Sequence, residues 1–96
     1  MRLSEDECLK IVSTIRQVDH AAEAYLYGSR TDDSRKGGDI DLVVVSSSLE
    51  FGDRLDLLSK LKEKLGDQKI DLKVVSSLED DDPFLVSVRS QLVRLG

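Results

Sequence analysis

Two seven-residue segments with nearly the same alternation of polar and apolar residues constrain this chain most. They are residues 39–45 (DIDLVVV) and residues 69–75 (KIDLKVV), and both are rich in β-branched side chains. Alternation of this kind predicts β-strands, in which successive side chains point to opposite faces of a sheet. The apolar residues at alternate positions are therefore expected in the core. Asp39, Asp41 and Asp71 are expected on the opposite face, where they converge if the two strands are neighbours.

Two helices and one further strand are predicted around these segments. Residues 4–7 (SEDE) form a capping box before apolar residues at helical spacing, which predicts a helix over about residues 5–19. Residues 24–27 form a short β-type run. Residues 47–50 (SSLE) repeat the capping-box pattern, which predicts the start of a second helix that ends at Gly66.

The last predicted element is a helix that begins at Asp82 and Pro83, an N-cap followed by a favoured first helical residue. The apolar stripe expected for this helix is Leu85, Val88, Leu92 and Leu95. The predicted order is helix, strand, turn, strand, helix, strand, helix. Such an order favours a small α/β or α+β fold with a three- or four-stranded sheet.

Composition restricts the functions that are open to the chain. Its 96 residues are 40% hydrophobic and 34% charged, with a net charge of -5, which predicts one globular domain over residues 1–96. No apolar run approaches the roughly 18 to 20 residues that span a bilayer, the first ten residues are polar and acidic, and Cys8 is the single cysteine. We therefore expect a cytoplasmic protein without a membrane role or a disulfide. The acidic balance and the 4% aromatic content disfavour direct nucleic-acid binding.

The three aspartates and a Gly-Ser pair point to phosphate chemistry. Alternating strands place polar residues outward in any case, but Asp is disfavoured within strands, and adjacent carboxylates repel one another unless a cation lies between them. Mg²⁺ prefers oxygen ligands and commonly binds one or two carboxylates together with substrate phosphates. Gly28 and Ser29 follow a predicted strand, where the glycine lets the backbone approach a phosphate and the serine hydroxyl can bind it. Together these residues predict phosphoryl or nucleotidyl transfer.

The segment LYGSRTDDSRKGGDIDLVV carries a resemblance to a known family. Residues 28–30 (GSR), a spacer and residues 39–42 (DIDL) resemble the signature of the DNA polymerase β-type nucleotidyltransferase superfamily. Within it, the chain is similar to the minimal nucleotidyltransferases, closely over residues 26–45 and loosely through Asp71. The resemblance implies a small nucleotidyltransferase fold of the α/β (α+β) class, with a three- to four-stranded mixed sheet packed with about three helices.

The same resemblance implies which residues act. Asp39 and Asp41 would bind two Mg²⁺ ions, and Asp71 would hold the catalytic ion and help to activate the acceptor hydroxyl. The implied nucleotide-binding residues, which would contact the triphosphate, are Gly28, Ser29 and Arg30. The implied reaction is an in-line attack on the α-phosphorus of ATP, with pyrophosphate as the leaving group.

A biological role is also implied. Minimal nucleotidyltransferases are commonly paired with HEPN-family ribonuclease toxins, and some act as antitoxins by transferring AMP to a toxin tyrosine. Because the chain carries the metal and triphosphate residues and little else, we expect a partner chain to supply the acceptor. The leading hypothesis is therefore a Mg²⁺-dependent protein adenylyltransferase antitoxin. Two alternatives stay open: a catalytically silent antitoxin that acts by binding, and a small-molecule nucleotidyltransferase of the antibiotic-modifying type that works as a homo-oligomer.

Overall fold

The computed structural model describes residues 4–27, 40–66, 69–79 and 81–95. The elements in chain order are α1 (Glu5–Val18), β1 (Glu23–Tyr27), β2 (Ile40–Val45), α2 (Phe51–Leu65), β3 (Ile70–Val75), α3 (Pro83–Val88), a short 3₁₀ helix (Arg89–Gln91) and β4 (Val93–Leu95). The strands form one sheet in the order β3-β2-β1-β4. The β2–β3 pair is parallel, whereas β1 is antiparallel to both β2 and β4. This mixed four-stranded sheet with three α-helices confirms the predicted fold class.

The main core lies between one face of the sheet and the helices α1 and α2. Its most completely buried side chains are Ile11, Ile15, Leu26, Ile40, Leu42, Val44, Leu57 and Leu61. The even-numbered residues of β2 and β3 all point into this core or pack against it, as the alternation predicted. The capping box of α1 is also confirmed, because the Ser4 hydroxyl accepts the Glu7 N–H at 3.1 Å and the Glu7 carboxylate accepts the Ser4 N–H at 3.2 Å.

The opposite face of the sheet carries a smaller core beneath α3. Tyr27, Val43, Val75 and Leu85 are its buried members. This face was expected to hold polar residues, but α3 covers part of it with apolar side chains. The polar residues of β2 and β3 on this face therefore stand next to an apolar patch.

The C-terminal segment differs from the prediction. The helix expected to extend to Leu95 ends at Val88, and Val93–Leu95 forms β4 along the outer edge of β1. Leu95 pairs with Ala24 and is buried in the main core. Its spacing from the preceding apolar residues fits a helix. However, the edge of β1 has backbone groups that a strand can satisfy, and pairing with them decides the conformation.

The start of α2 also differs in detail. Ser47 was expected to begin a capping box, but the helix begins four residues later, with Glu50 at the N-cap position. The Glu50 N–H donates to a carboxylate oxygen of Asp53 at 3.0 Å, so the first turn is satisfied from within the helix.

A hydrogen-bonded cluster joins the end of β2 to the end of α1. The buried Ser46 hydroxyl donates to the Asp19 carboxylate and accepts the N–H groups of Ser48 and Leu49, each at 3.2 Å. The hydrogen bond from Ser46, followed by one from the Ala21 N–H, lowers the pKa of Asp19 below its ordinary value. The cluster therefore fixes the turn that leads from the sheet into α2.

The outer edge of β3 is contacted by α2. Arg54 is half-buried, and its Nε donates to the backbone carbonyl of Leu72 at 3.1 Å. This bond satisfies a main-chain acceptor on a strand that, within the described part of the chain, pairs on one side only. Among the helices of the described residues, none has the length and apolar character needed to cross a bilayer.

Two leucines of α2 test this packing. Leu57 is fully buried, whereas Leu55 is 50% exposed. We expect Leu57→Ala to lower the free energy of unfolding by about 2 to 5 kcal/mol, because it removes buried methyl groups and leaves a cavity. The matched change Leu55→Ala should stay within about 0.5 kcal/mol of the wild type. Urea denaturation of the three proteins measures both values, and equal losses in the two variants would contradict the described packing.

Candidate active site

Three side chains form one row across three strands of the sheet. Tyr27 of β1 is the pairing partner of Asp41 in β2, and Asp41 is the pairing partner of Asp71 in β3. Paired residues on neighbouring strands point to the same face, and the strands lie about 4.8 Å apart. The two carboxylates are therefore neighbours on the face that carries α3. Asp41 is half-buried and Asp71 is exposed.

The structure therefore describes only some of the predicted site residues. The structure brings Asp41 and Asp71 together, as the strand patterns predicted for neighbouring strands. The other predicted residues, which lie outside the described residues, are Gly28, Ser29, Arg30 and Asp39. Within the described ranges, no three His, Cys, Asp or Glu side chains form a group that could hold a metal ion. The metal-binding and phosphate-binding roles therefore stay predictions.

The ring of Tyr27 forms part of an apolar floor beside the carboxylates. Tyr27 is 8% exposed, and its ring meets that of Phe84 edge to face, with centroids 5.3 Å apart and planes at 73°. Val43 and Leu85 belong to the same buried cluster. Aromatic pairs in this geometry are attractive beyond their buried area, so the ring is held in one orientation. The apolar floor also weakens the screening of nearby charges.

Lys73 of β3 forms an ion pair with Asp82 at the start of α3, next to the row of carboxylates. It follows Asp71 on the same face of β3, and its Nζ lies 3.2 Å from Oδ2 of Asp82 and 5.4 Å from the ring centroid of Phe84. Asp82 also caps α3 by accepting the N–H of Phe84 at 2.8 Å and that of Leu85 at 3.4 Å. The hydrogen bond from Lys73 is the main cause that lowers the pKa of Asp82. The sequence indicated the cap but not the ion pair.

The environment of Tyr27 makes its phenol a weaker acid than an ordinary tyrosine. Burial first, and then the negative charges of Asp71 and Asp41, raise the pKa of Tyr27 to about 12. A protonated phenol can donate a hydrogen bond, which a carboxylate accepts. Tyr27 was not among the predicted site residues. Its position directly before Gly28 at the end of a strand was the one sequence signal available, because its pairing with Asp41 is not local in sequence.

The chemistry of this row fits a divalent cation. Two adjacent carboxylates repel one another, and a cation that binds both removes the repulsion. Carboxylate oxygens are ligands that Mg²⁺ and Mn²⁺ prefer. The donor set at Asp41 and Asp71 therefore suits such an ion, with other oxygen ligands completing its coordination.

Comparison with known proteins identifies the class. The family described as Polymerase beta, Nucleotidyltransferase matches residues 9–92, and the chain belongs to this family. The mixed four-stranded sheet with three α-helices agrees with that assignment.

Solved structures point to a particular group within the class. The chain is similar to a crystal structure of the toxin-antitoxin MntA-HpeT that carries two aspartate-to-glutamate substitutions, with 27% identity, a TM-score of 0.73, and coverage of 98% of this chain and 73% of that chain. A second crystal structure, of a toxin-antitoxin with AMP-PNP, has 26% identity with the same TM-score and the same coverage. No curated protein matches the chain significantly in sequence.

The environment of Tyr27 predicts a specific loss of stability at alkaline pH. Its folded-state pKa of about 12 exceeds the ordinary value of 10, so its contribution to stability is complete below pH 10 and is lost as the pH rises through about 12. We expect Tyr27→Phe to lose less stability than the wild type over this interval. Melting temperatures measured from pH 8 to pH 12 test the difference, and parallel curves for the two proteins would contradict it.

Proposed function

We propose that this protein is the adenylyltransferase antitoxin of a toxin-antitoxin pair, and that it transfers AMP from ATP to a tyrosine hydroxyl of a HEPN-type ribonuclease toxin. The observation that carries the proposal is the register of β2 and β3, which pairs Asp41 with Asp71 on one face of the sheet. Such a carboxylate pair is suited to hold divalent cations beside a nucleoside triphosphate. Membership in the nucleotidyltransferase family supports this use of the pair.

The similar solved structures support the nucleotide and the partner. One similar protein is a toxin-antitoxin crystallised with AMP-PNP, an analogue of ATP. The other is MntA-HpeT, also a toxin-antitoxin. Similarity over 98% of this chain makes the same type of assembly the best working hypothesis for it. The net charge of -5 is complementary to a basic ribonuclease surface and would accelerate the encounter.

In the proposed reaction, the chain's own residues bind and orient. The proposed ligands of two Mg²⁺ ions are Asp39, Asp41 and Asp71, and the proposed triphosphate ligands are Gly28, Ser29 and Arg30. When bound, the ions would neutralise charge on the attacking and leaving oxygens. Asp71 orients the acceptor hydroxyl, whose oxygen forms a bond to the α-phosphorus as its proton passes to the Asp71 carboxylate. The bond between the α-phosphorus and the bridging oxygen breaks, and pyrophosphate leaves. We place this reaction in the cytoplasm, where ATP and Mg²⁺ are both abundant.

Nucleotide binding is expected to stabilise the fold. At a hundredfold excess of Mg-ATP over its Kd, binding to the native state contributes about 2.7 kcal/mol, which raises Tm by roughly 10 °C for a domain of this size. Asp41→Asn should remove most of this rise, because it weakens cation binding, and should raise the Tm of the metal-free protein by reducing repulsion with Asp71.

A matched control for this measurement lies on the other side of the sheet. Asp56 is an exposed residue of α2 whose carboxylate contacts Lys60 at 3.1 Å. Asp56→Asn changes the net charge by the same amount and should leave the Mg-ATP shift intact. A wild-type Tm that stays constant at saturating Mg-ATP would contradict the proposal.

Transfer itself is tested with the partner that the proposal requires, a HEPN-type ribonuclease toxin. Incubation of both proteins with Mg-ATP should increase the mass of the toxin by about 329 Da for each AMP added, as the chemistry of adenylylation requires. Asp41→Asn and Asp71→Asn should abolish the increase, because each change removes a ligand of the catalytic ion, whereas Asp56→Asn should retain it.

The same variants separate catalysis from binding. If Asp41→Asn still forms the complex but neither labels nor neutralises the toxin, the transfer reaction is the antitoxin mechanism. If this variant neutralises the toxin as well as the wild type does, neutralisation occurs by contact alone and the enzymatic proposal is wrong. Growth of cells that express the toxin with each variant measures neutralisation.

A further inference from the structure

The phenol of Tyr27 has no role in the proposed reaction, although it shares a row with both carboxylates. Tyr27 pairs with Asp41, and Asp41 pairs with Asp71, so all three side chains point to one face. The ring is almost completely buried, but the charges of both aspartates act on its hydroxyl. Across the sheet, Asp41 is the neighbour of Tyr27, and Asp71 lies one strand further in the same row.

We infer that Tyr27 is a positioning residue for the carboxylate pair: when a divalent cation is bound, its hydroxyl donates a hydrogen bond to the oxygen of Asp41 that does not contact the cation. This bond would hold Asp41 in the orientation that a cation shared with Asp71 requires. The inference rests on the proposed function, because it presupposes cation binding at this pair. Hydrogen bonds to ligating carboxylates are a general feature of metal sites.

The packing of the ring supports this role. Phe84 contacts the ring edge to face, and Leu85 belongs to the same buried cluster. Both residues belong to α3. Asp82, which caps this helix, forms an ion pair with Lys73 of β3. A side chain held in this way loses little further entropy when it forms a hydrogen bond, so the bond favours the cation-bound state.

A second tyrosine provides a matched control. Tyr25 lies two residues earlier in β1 on the same face, one row below, where its pairing partners are Val43 and Arg94 rather than an aspartate. The change Tyr25→Phe removes the same hydroxyl group from the same strand. It therefore separates an effect on the carboxylate row from a general effect on the sheet.

Cation affinity is the first measurement. Mn²⁺ binds the same oxygen ligands as Mg²⁺ and can be followed by electron paramagnetic resonance. We expect Tyr27→Phe to bind Mn²⁺ about tenfold more weakly than the wild type, as is typical when a partner of a ligating group is removed. Tyr25→Phe should bind Mn²⁺ with the affinity of the wild type. Melting temperatures in EDTA should be similar for all three proteins near pH 7, which excludes a loss of structure.

Proximity is the second measurement. The chain has two tyrosines and no tryptophan, so tyrosine excitation can sensitise bound Tb³⁺ only through Tyr25 or Tyr27. Tb³⁺ also prefers oxygen ligands, and energy transfer to it falls steeply with distance. We expect Tyr25→Phe to keep most of the Tb³⁺ luminescence at saturation, and Tyr27→Phe to lose most of it.

The outcomes distinguish this inference from the proposed function. If the wild type binds Mn²⁺ and Tyr27→Phe binds it equally well, Tyr27 has no positioning role, but the proposed function stands. If Tyr25→Phe weakens binding as much as Tyr27→Phe does, the effect is general to the sheet and the inference is also wrong. If the wild type binds neither ion, the cation site itself is absent, and both proposals fail.

Discussion

The parallel pairing of β2 with β3 links the main core to the candidate site. In this register Leu42 lies beside Leu72 and Asp41 lies beside Asp71, and the two pairs point to opposite faces of the sheet. A shift of one residue in either strand would turn its carboxylate towards the core. The buried leucines therefore enforce the register, and the register brings the carboxylates together. Core packing and the geometry of the site have a common cause.

The two faces of the sheet have different roles: one stabilises the fold, and the other carries the candidate site. The face under α1 and α2 is apolar along all three long strands, and its burial supplies the main hydrophobic stabilisation. The face under α3 combines an apolar patch with two neighbouring carboxylates, on which the proposed cation site rests. Leu85 and Phe84 pack α3 against this face, and Lys73 contacts Asp82 at 3.2 Å beside them. The larger core under α1 and α2 compensates for the repulsion between the Asp41 and Asp71 carboxylates.

The parts of the fold that the sequence predicted are those governed by local patterns. The period of two in the strands placed Asp41 and Asp71 on one face because that period is a property of any strand. The strand at Leu95 was missed because its apolar spacing also fits a helix, and only the distant edge of β1 decides between the two. Tyr27 was missed because its neighbours in the row depend on which strands pair, and in which direction. Pairing of this kind is nonlocal, and one sequence does not encode it in a readable pattern.

The contact of Arg54 with the carbonyl of Leu72 has a consequence for self-association. An edge strand with open main-chain groups is a template on which further chains can assemble into fibres. A foreign strand that added beside β3 would first have to displace a half-buried guanidinium group. At the other edge, β4 is three residues long and offers little length for such growth. Both edges of the sheet are therefore poor templates for the addition of further strands. This favours recognition of other proteins through side-chain surfaces rather than through the main chain.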